Sequence, residues 1–125
     1  MKQIRTYKEP RWVKLRERVL KRDKYIDQYL YRYGKVKQAE LVHHIFPVND
    51  FPEYQYEEWN LISITKNTHE KFHIKETQLL SKTGLELLIR TAKRNNIEVP
   101  NWYIYKQKKG SNIVNNRYGG LYDKK

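Results

Sequence analysis

Behind Pro10, the apolar residues Trp12, Leu15 and Val19 recur at i, i+3 and i+7. They predict a helix over the run RWVKLRERVLKRD with one buried stripe, while Arg11, Lys14, Arg18 and Arg22 point elsewhere. The Tyr-rich segment 25–33 continues as a short helix or turn that ends at Gly34. The period then changes. Residues 40–45 (ELVHHI) are short, β-branched and stopped by Pro47, the pattern of a strand, and residues 59–64 (WNLISI) form a second strand candidate. Between them, residues 48–58 have the polar, Pro-containing composition of an ordered loop. Thr65 can cap a helix running to about Ile74. Leu85, Leu88, Ile89 and Ala92 mark an amphipathic helix over 84–96, and Pro100 ends the regular part. The last 25 residues, rich in Asn, Gly and Lys, read as an extended tail. No internal repeat is present.

The 125 residues suffice for one compact domain with an arm or tail. Lys and Arg number 26 against 14 Asp and Glu, for a net charge of +12. The distribution says more than the total. Residues 1–35 carry twelve basic and four acidic groups, residues 36–100 eight and nine, and residues 101–125 six and one. A near-neutral middle between two basic segments fits a site held between arms that grip a polyanion. The same charge also suits a solvated surface, and charge alone does not separate the two. The basic residues are not confined to one face of an apolar-faced helix, which argues against a membrane-surface helix. With no Cys, disulfides, thiolate–zinc sites and cysteine nucleophiles are excluded. No run approaches the ~18–20 apolar residues of a membrane span, and the charged N-terminus lacks a signal peptide's apolar run. The expectation is a soluble protein of the cytoplasm.

All four histidines lie between residues 43 and 73. His69 and His73 are four apart on the expected helix, a spacing that lets two imidazoles share a metal ion. The string His69-Glu70-Lys71-Phe72-His73 also matches H-E-x-x-H, in which Glu70 would activate a zinc-bound water. The extended peptidase form fails because residues 76 and 79 are Glu and Leu. Glu86 and Glu98, the acidic candidates for a third ligand, sit in no second motif. The peptidase reading also leaves His43, His44 and the basic segments without a role. A second arrangement uses every histidine: the two strands pair as a hairpin, and the helix from Thr65 packs across it. His43, His69 and His73 can then hold one divalent ion. His44, on the opposite face of a regular strand, needs a bend at the strand end to reach the attacking water, where an imidazole is suited to take a proton at neutral pH.

These residues resemble the HNH endonucleases of the ββα-metal (His-Me finger) type, through LVHHI at 41–45, WNLISI at 59–64 and THEKFH at 68–73. The His-His, Asn, His-x-x-x-His set is similar to the colicin-type DNases. The flanks RWVKLRERVLKRDKY and YGKVKQAELVHHIFPV resemble small phage-encoded HNH proteins, and the likeness covers about residues 10–75. The resemblance implies an α+β fold with a hairpin-plus-helix core at 38–75, inside a nuclease domain spanning 10–100. A basic arm (1–9) and a basic tail (101–125) would flank that domain. It implies His44 as general base, His43, His69 and His73 as metal ligands, and Asn60 as the residue that ties down the inter-strand loop and orients the base. Glu70 becomes a helix-surface residue.

The implied reaction is metal-dependent hydrolysis of DNA phosphodiesters, leaving 5′-phosphate and 3′-hydroxyl ends, as a nick or a double-strand cut. Three imidazoles favour Zn²⁺, Ni²⁺ or Mn²⁺, while Mg²⁺ is the alternative working ion in the cell. Phage or mobile-element origin in a bacterial host, and partnership with a terminase, belong to the same resemblance. The competing class is a non-catalytic DNA-binding or packaging accessory with this fold. Trp102, Tyr103, Tyr105 and Tyr118 are available to stack on bases or to pack against the domain. Many phage members carry two Cys-x-x-Cys pairs that bind a structural zinc. Here the matching positions are Asp27, Leu30, Thr65 and Thr68, so no structural zinc is expected. Packing by Trp12, Leu15, Tyr25, Leu30, Leu41, Trp59 and Ile62 is expected to substitute. Elemental analysis of the purified protein should find at most one tightly bound zinc per chain; two would refute this.

Overall fold

Pro10 starts helix α1 (Pro10–Arg22), where its fixed φ suits the first turn and its missing N–H costs no bond. The computed structural model describes residues 9–77 and 79–113, excepting the side chains of 110–113. The expected arm, apart from Glu9, and the tail beyond Ile113 with Tyr118 lie outside the described residues. Two compact units divide the chain, one ending at His69 and the other beginning at Glu70.

In the first unit, α1 is followed by a short helix α2 (Gln28–Arg32) and strand β1 (Leu41–His44). Strand β2 (Leu61–Ile64) pairs antiparallel with β1, with Leu41 opposite Ile64 and His44 opposite Leu61. The fold is the expected small α+β architecture with a hairpin followed by a helix. Trp59 and Asn60 fall outside β2, in a 3-10 turn over Glu58–Asn60. A four-residue hairpin cannot bury its own apolar face, and α1 supplies the cover. Trp12, Leu15 and Val19 form one cluster with Leu61, against which Val42 and Tyr56 pack. Arg22 adds a polar anchor: its guanidinium donates to both Asp23 carboxylate oxygens and to the carbonyls of Glu58 and Leu61. Asp23 in turn accepts from the Ser63 N–H.

The positions matching the cysteine pairs are joined by hydrogen bonds. Asp27 is fully buried. One of its carboxylate oxygens caps α2 through the Leu30 N–H, and the other accepts from the Thr65 N–H, both at 2.8 Å. Thr65 Oγ1 caps the next helix, α3 (Lys66–Lys71), by accepting from the Thr68 N–H. Glu40 accepts from the N–H of Lys66. Packing was expected to do this work alone, and that expectation needs correction. Trp12 and Leu15 are buried, but Leu30, Leu41, Trp59 and Ile62 are half-buried and Tyr25 is 41% exposed. Tyr25 stands at a φ of 58° with its hydroxyl donating to Glu17, so its ring is directed to the surface.

α3 stops at Lys71, short of the expected Ile74. Past it the chain turns back on itself in the second unit: the Ser81 hydroxyl donates to the Lys71 carbonyl. The Ser81 N–H donates to the Phe72 carbonyl, and the Ile74 N–H donates to the Leu79 carbonyl. Those contacts take up the Lys71 and Phe72 carbonyls and the Ile74 N–H, backbone groups that a longer helix would have used. Ser81 also caps α4 (Lys82–Arg94), which buries Leu85, Leu87, Leu88 and Ala92. Gly84 is required there, because a Cβ would run into the carbonyl of Phe72.

The expected extended tail is in part a helix, α5 (Asn101–Ile113). Pro100, read as a terminator, opens it: its carbonyl accepts from the N–H groups of Tyr103 and Ile104. A proline ends what precedes it but leaves the following turn free to form. Tyr103 and Gln107, four apart, are buried, while Trp102 and Tyr105 stay exposed. Among the described residues, no helix is long and apolar enough to cross a membrane.

Replacing Asp27 by Ala strands the N–H groups of Leu30 and Thr65, so a loss of about 2–4 kcal/mol is expected. Asp27→Asn, which keeps an acceptor oxygen, should lose less. Urea denaturation of the two variants measures this.

Candidate active site

Strand β1 ends in His43-His44, and alternation sends the two rings to opposite faces. The bend follows at Ile45 and Phe46 instead of separating the pair. Each ring has its own neighbour. His43, on the side of α3, lies edge-to-face with His69 at 5.3 Å between ring centres. Two imidazole nitrogens at about 2.0–2.1 Å from one tetrahedral ion place their ring centres roughly 5 Å apart. The His43–His69 pair therefore fits a shared divalent ion, and nitrogen donors suit Zn²⁺, Ni²⁺ or Mn²⁺.

His44 faces α1, where its ring stacks on Trp12 at 5.1 Å and 22°. Its Nε2 lies 3.0 Å from the backbone carbonyl of Gln55. A carbonyl only accepts, so Nε2 carries the hydrogen and the neutral ring keeps its lone pair on Nδ1. The ring is thus held in one tautomer and one plane, as a proton acceptor requires.

Asn60 governs where that carbonyl sits. Its fully buried side chain accepts from the Phe46 N–H at 2.7 Å and donates to the carbonyls of Phe46 and Tyr54, both at 3.2 Å. The start of the inter-strand loop and its middle are therefore tied to one amide. Gln55, which holds His44, is the residue after Tyr54. Rings fill the loop: Phe46 meets Phe51, Tyr54 and Trp59 edge-to-face, and Tyr54 meets Trp59 at 4.9 Å. Sequence reasoning missed Gln55, because it acts through a backbone carbonyl that no residue type reveals. Trp12 was visible only as a core position.

His69 is half-buried on α3, and Glu70 is exposed. His73 lies beyond the helix, half-buried, in an isolated bridge with Leu80. The H-E-x-x-H string thus does not present both histidines from one helix, the geometry a zinc peptidase needs. His73 lines an open groove of about 420 Å³ with Glu70, Lys71, Lys75, Ser81 and Lys82. Among the described residues, no group of three His, Asp or Glu side chains is assembled as a ready metal cage. The His43–His69 pair is the metal-compatible element already in place.

The crystal structure of a deep-sea thermophilic bacteriophage GVE2 HNH endonuclease with manganese ion is similar to this chain, with a TM-score of 0.50 and 28% identity. The match covers 51% of this chain and 70% of that one. The likeness to the HNH endonucleases thus holds in fold as well as in motif. No protein-family model and no curated protein matches the chain.

Asn60→Ala removes three hydrogen bonds and leaves Phe46 and Tyr54 backbone groups unsatisfied. A loss of about 2–4 kcal/mol is expected by denaturant titration. Asn60→Asp should do worse, because a carboxylate would face two carbonyl oxygens.

Proposed function

We propose that this chain is a metal-dependent endonuclease that hydrolyses DNA phosphodiester bonds, acting in the manner of the HNH enzymes. The observation that carries the reading is the end of β1: His43 pairs with His69 at metal-sharing distance, and His44 is held in place by the Gln55 carbonyl and the Trp12 ring. His43 and His69 would hold the ion, and the motif adds His73 as the third ligand. When bound, the ion supplies Lewis-acid stabilisation to the phosphate and the departing 3′-oxygen. Manganese, the ion of the phage relative, is a suitable choice for such a donor set.

His44 removes a proton from water through Nδ1, and the resulting hydroxide attacks phosphorus in line. The Gln55 carbonyl steadies the imidazolium that forms, because Nε2–H becomes a stronger donor once the ring is charged. Asn60 acts through the loop and is a positioning residue. Lys71, Lys75 and Lys82 give the groove beside His73 the charge to hold a phosphate backbone without reading sequence. In the first unit, exposed cations on α1, Lys14 and Lys21 among them, offer phosphate contacts of their own. The corresponding setting is the cytoplasm of a bacterium carrying phage or mobile-element DNA, with a terminase as the partner to test.

Supercoiled plasmid incubated with the protein and Mn²⁺ should be nicked, and EDTA should abolish the activity. His44→Ala should lower the rate at least about a hundredfold, the usual contribution of a general base. Glu70→Gln should stay near wild type. An inactive Glu70→Gln beside an active His44→Ala would overturn the assignment, as would absence of cleavage with every divalent ion. If about six cations touch phosphates, log K against log[salt] should fall with a slope near −5.

A further inference from the structure

The end of α2 and the turn that follows it present their side chains to solvent. Every residue from Tyr31 to Gln38 is solvent-exposed, with Tyr31 at 57% and Tyr33 at 59%. Surface tyrosines scattered singly mean little. Here two stand one residue apart, interleaved with Arg32, Lys35 and Lys37, and no acidic residue occurs between Gln28 and Ala39.

The turn is also closed by backbone hydrogen bonds. Tyr31's carbonyl accepts from the Gly34 N–H at 2.9 Å, and Leu30's carbonyl accepts from Lys35 at 3.1 Å. Lys37's carbonyl accepts from the Asp27 N–H at 2.8 Å, and Ile26 bridges to Gln38. Gly34, at a φ of +83°, makes the reversal. Tyr33 is braced edge-on by Tyr29 at 5.2 Å. The buried carboxylate of Asp27 anchors the base of the turn. Exposed rings on a fixed frame lose little freedom when something stacks on them, which is what a binding platform requires.

We propose that this turn binds single-stranded DNA, with unstacked bases on Tyr31 and Tyr33 and backbone phosphates on Arg32, Lys35 and Lys37. The inference rests on the nucleic-acid reading of the chain and deepens it: the preferred substrate carries an unpaired stretch. Charge selects the occupant. A second copy of a chain with net charge +12 is repelled, whereas a polyanion with planar faces satisfies both the cations and the rings. A paired duplex presents the phosphates but keeps its base faces stacked, so it engages only half of the surface.

The test is binding of the full chain, in EDTA to prevent cleavage, to labelled oligothymidylate and to a duplex of equal length. The double variant Tyr31→Ala/Tyr33→Ala should weaken single-strand binding at least about tenfold, since it removes both stacking rings. Duplex binding should change by less than about threefold, a phosphate-only contact being untouched. Tyr31→Phe/Tyr33→Phe, which keeps the rings, should restore single-strand binding. Unchanged single-strand binding in the Ala variant, or equal loss on both probes, overturns the proposal. A loss confined to oligouridylate, or a wild-type dimer that the Ala variant dissolves, overturns it in favour of RNA or of self-association. Because binding is read without metal, failure of plasmid nicking leaves this result standing, and failure here leaves the nuclease reading standing.

Discussion

One buried amide, that of Asn60, holds the inter-strand loop and through it the orientation of His44. Its oxygen and nitrogen span Phe46 and Tyr54, the two ends of a segment with no strand or long helix of its own. Such a loop would otherwise sample many conformations, at an entropic cost of about 1–2 kcal/mol per residue when ordered. Three hydrogen bonds and a cluster of four rings offset that cost. The Gln55 carbonyl then falls where His44 Nε2 donates to it. The orientation of the His44 ring is thus the last link of a chain that begins at one side chain at the mouth of β2.

The hairpin itself is too small to stand alone, and its two faces have different solutions. On the α1 side, Trp12 serves twice: it fills the core with Leu15, Val19 and Leu61, and it forms the wall against which His44 stacks. On the other side, α3 brings His69 to His43. His43 and His44 are consecutive residues of one short strand, so anything that shifts β1 shifts both, and the proposed acid–base and metal-binding roles would be coupled through the same backbone.

Carboxylates do the joining that cysteines are absent to do. Asp27 links α2 to the start of α3, Glu40 reaches Lys66, and Asp23 ties the end of α1 to Ser63. Each accepts from a backbone N–H, and for Asp23 and Asp27 that is how a buried carboxylate is retained without a large desolvation penalty. These links lie beside the histidine-bearing elements and fix the entry to α3, the helix that carries His69.

Much of this was legible in order and type. The stripe of Trp12, Leu15 and Val19, the paired strands around a polar loop, and the spacing of His43, His44, Asn60 and His69 determined a hairpin, its covering helix and the candidate chemistry. Local pattern suffices there because each element's period is set by which residues must be buried. What tertiary structure alone decided depends on partners distant in sequence. The early end of α3 comes from Ser81 and Leu79, ten and eight residues beyond Lys71, taking up the backbone groups after it. The tautomer of His44 comes from the carbonyl of Gln55, a group identical in every residue. The exposure of Tyr25 and the burial of Tyr103 follow from backbone geometry and helix facing, which aromatic content cannot reveal. Side-chain identity announces which chemistry is available; only the folded backbone decides which atom faces which.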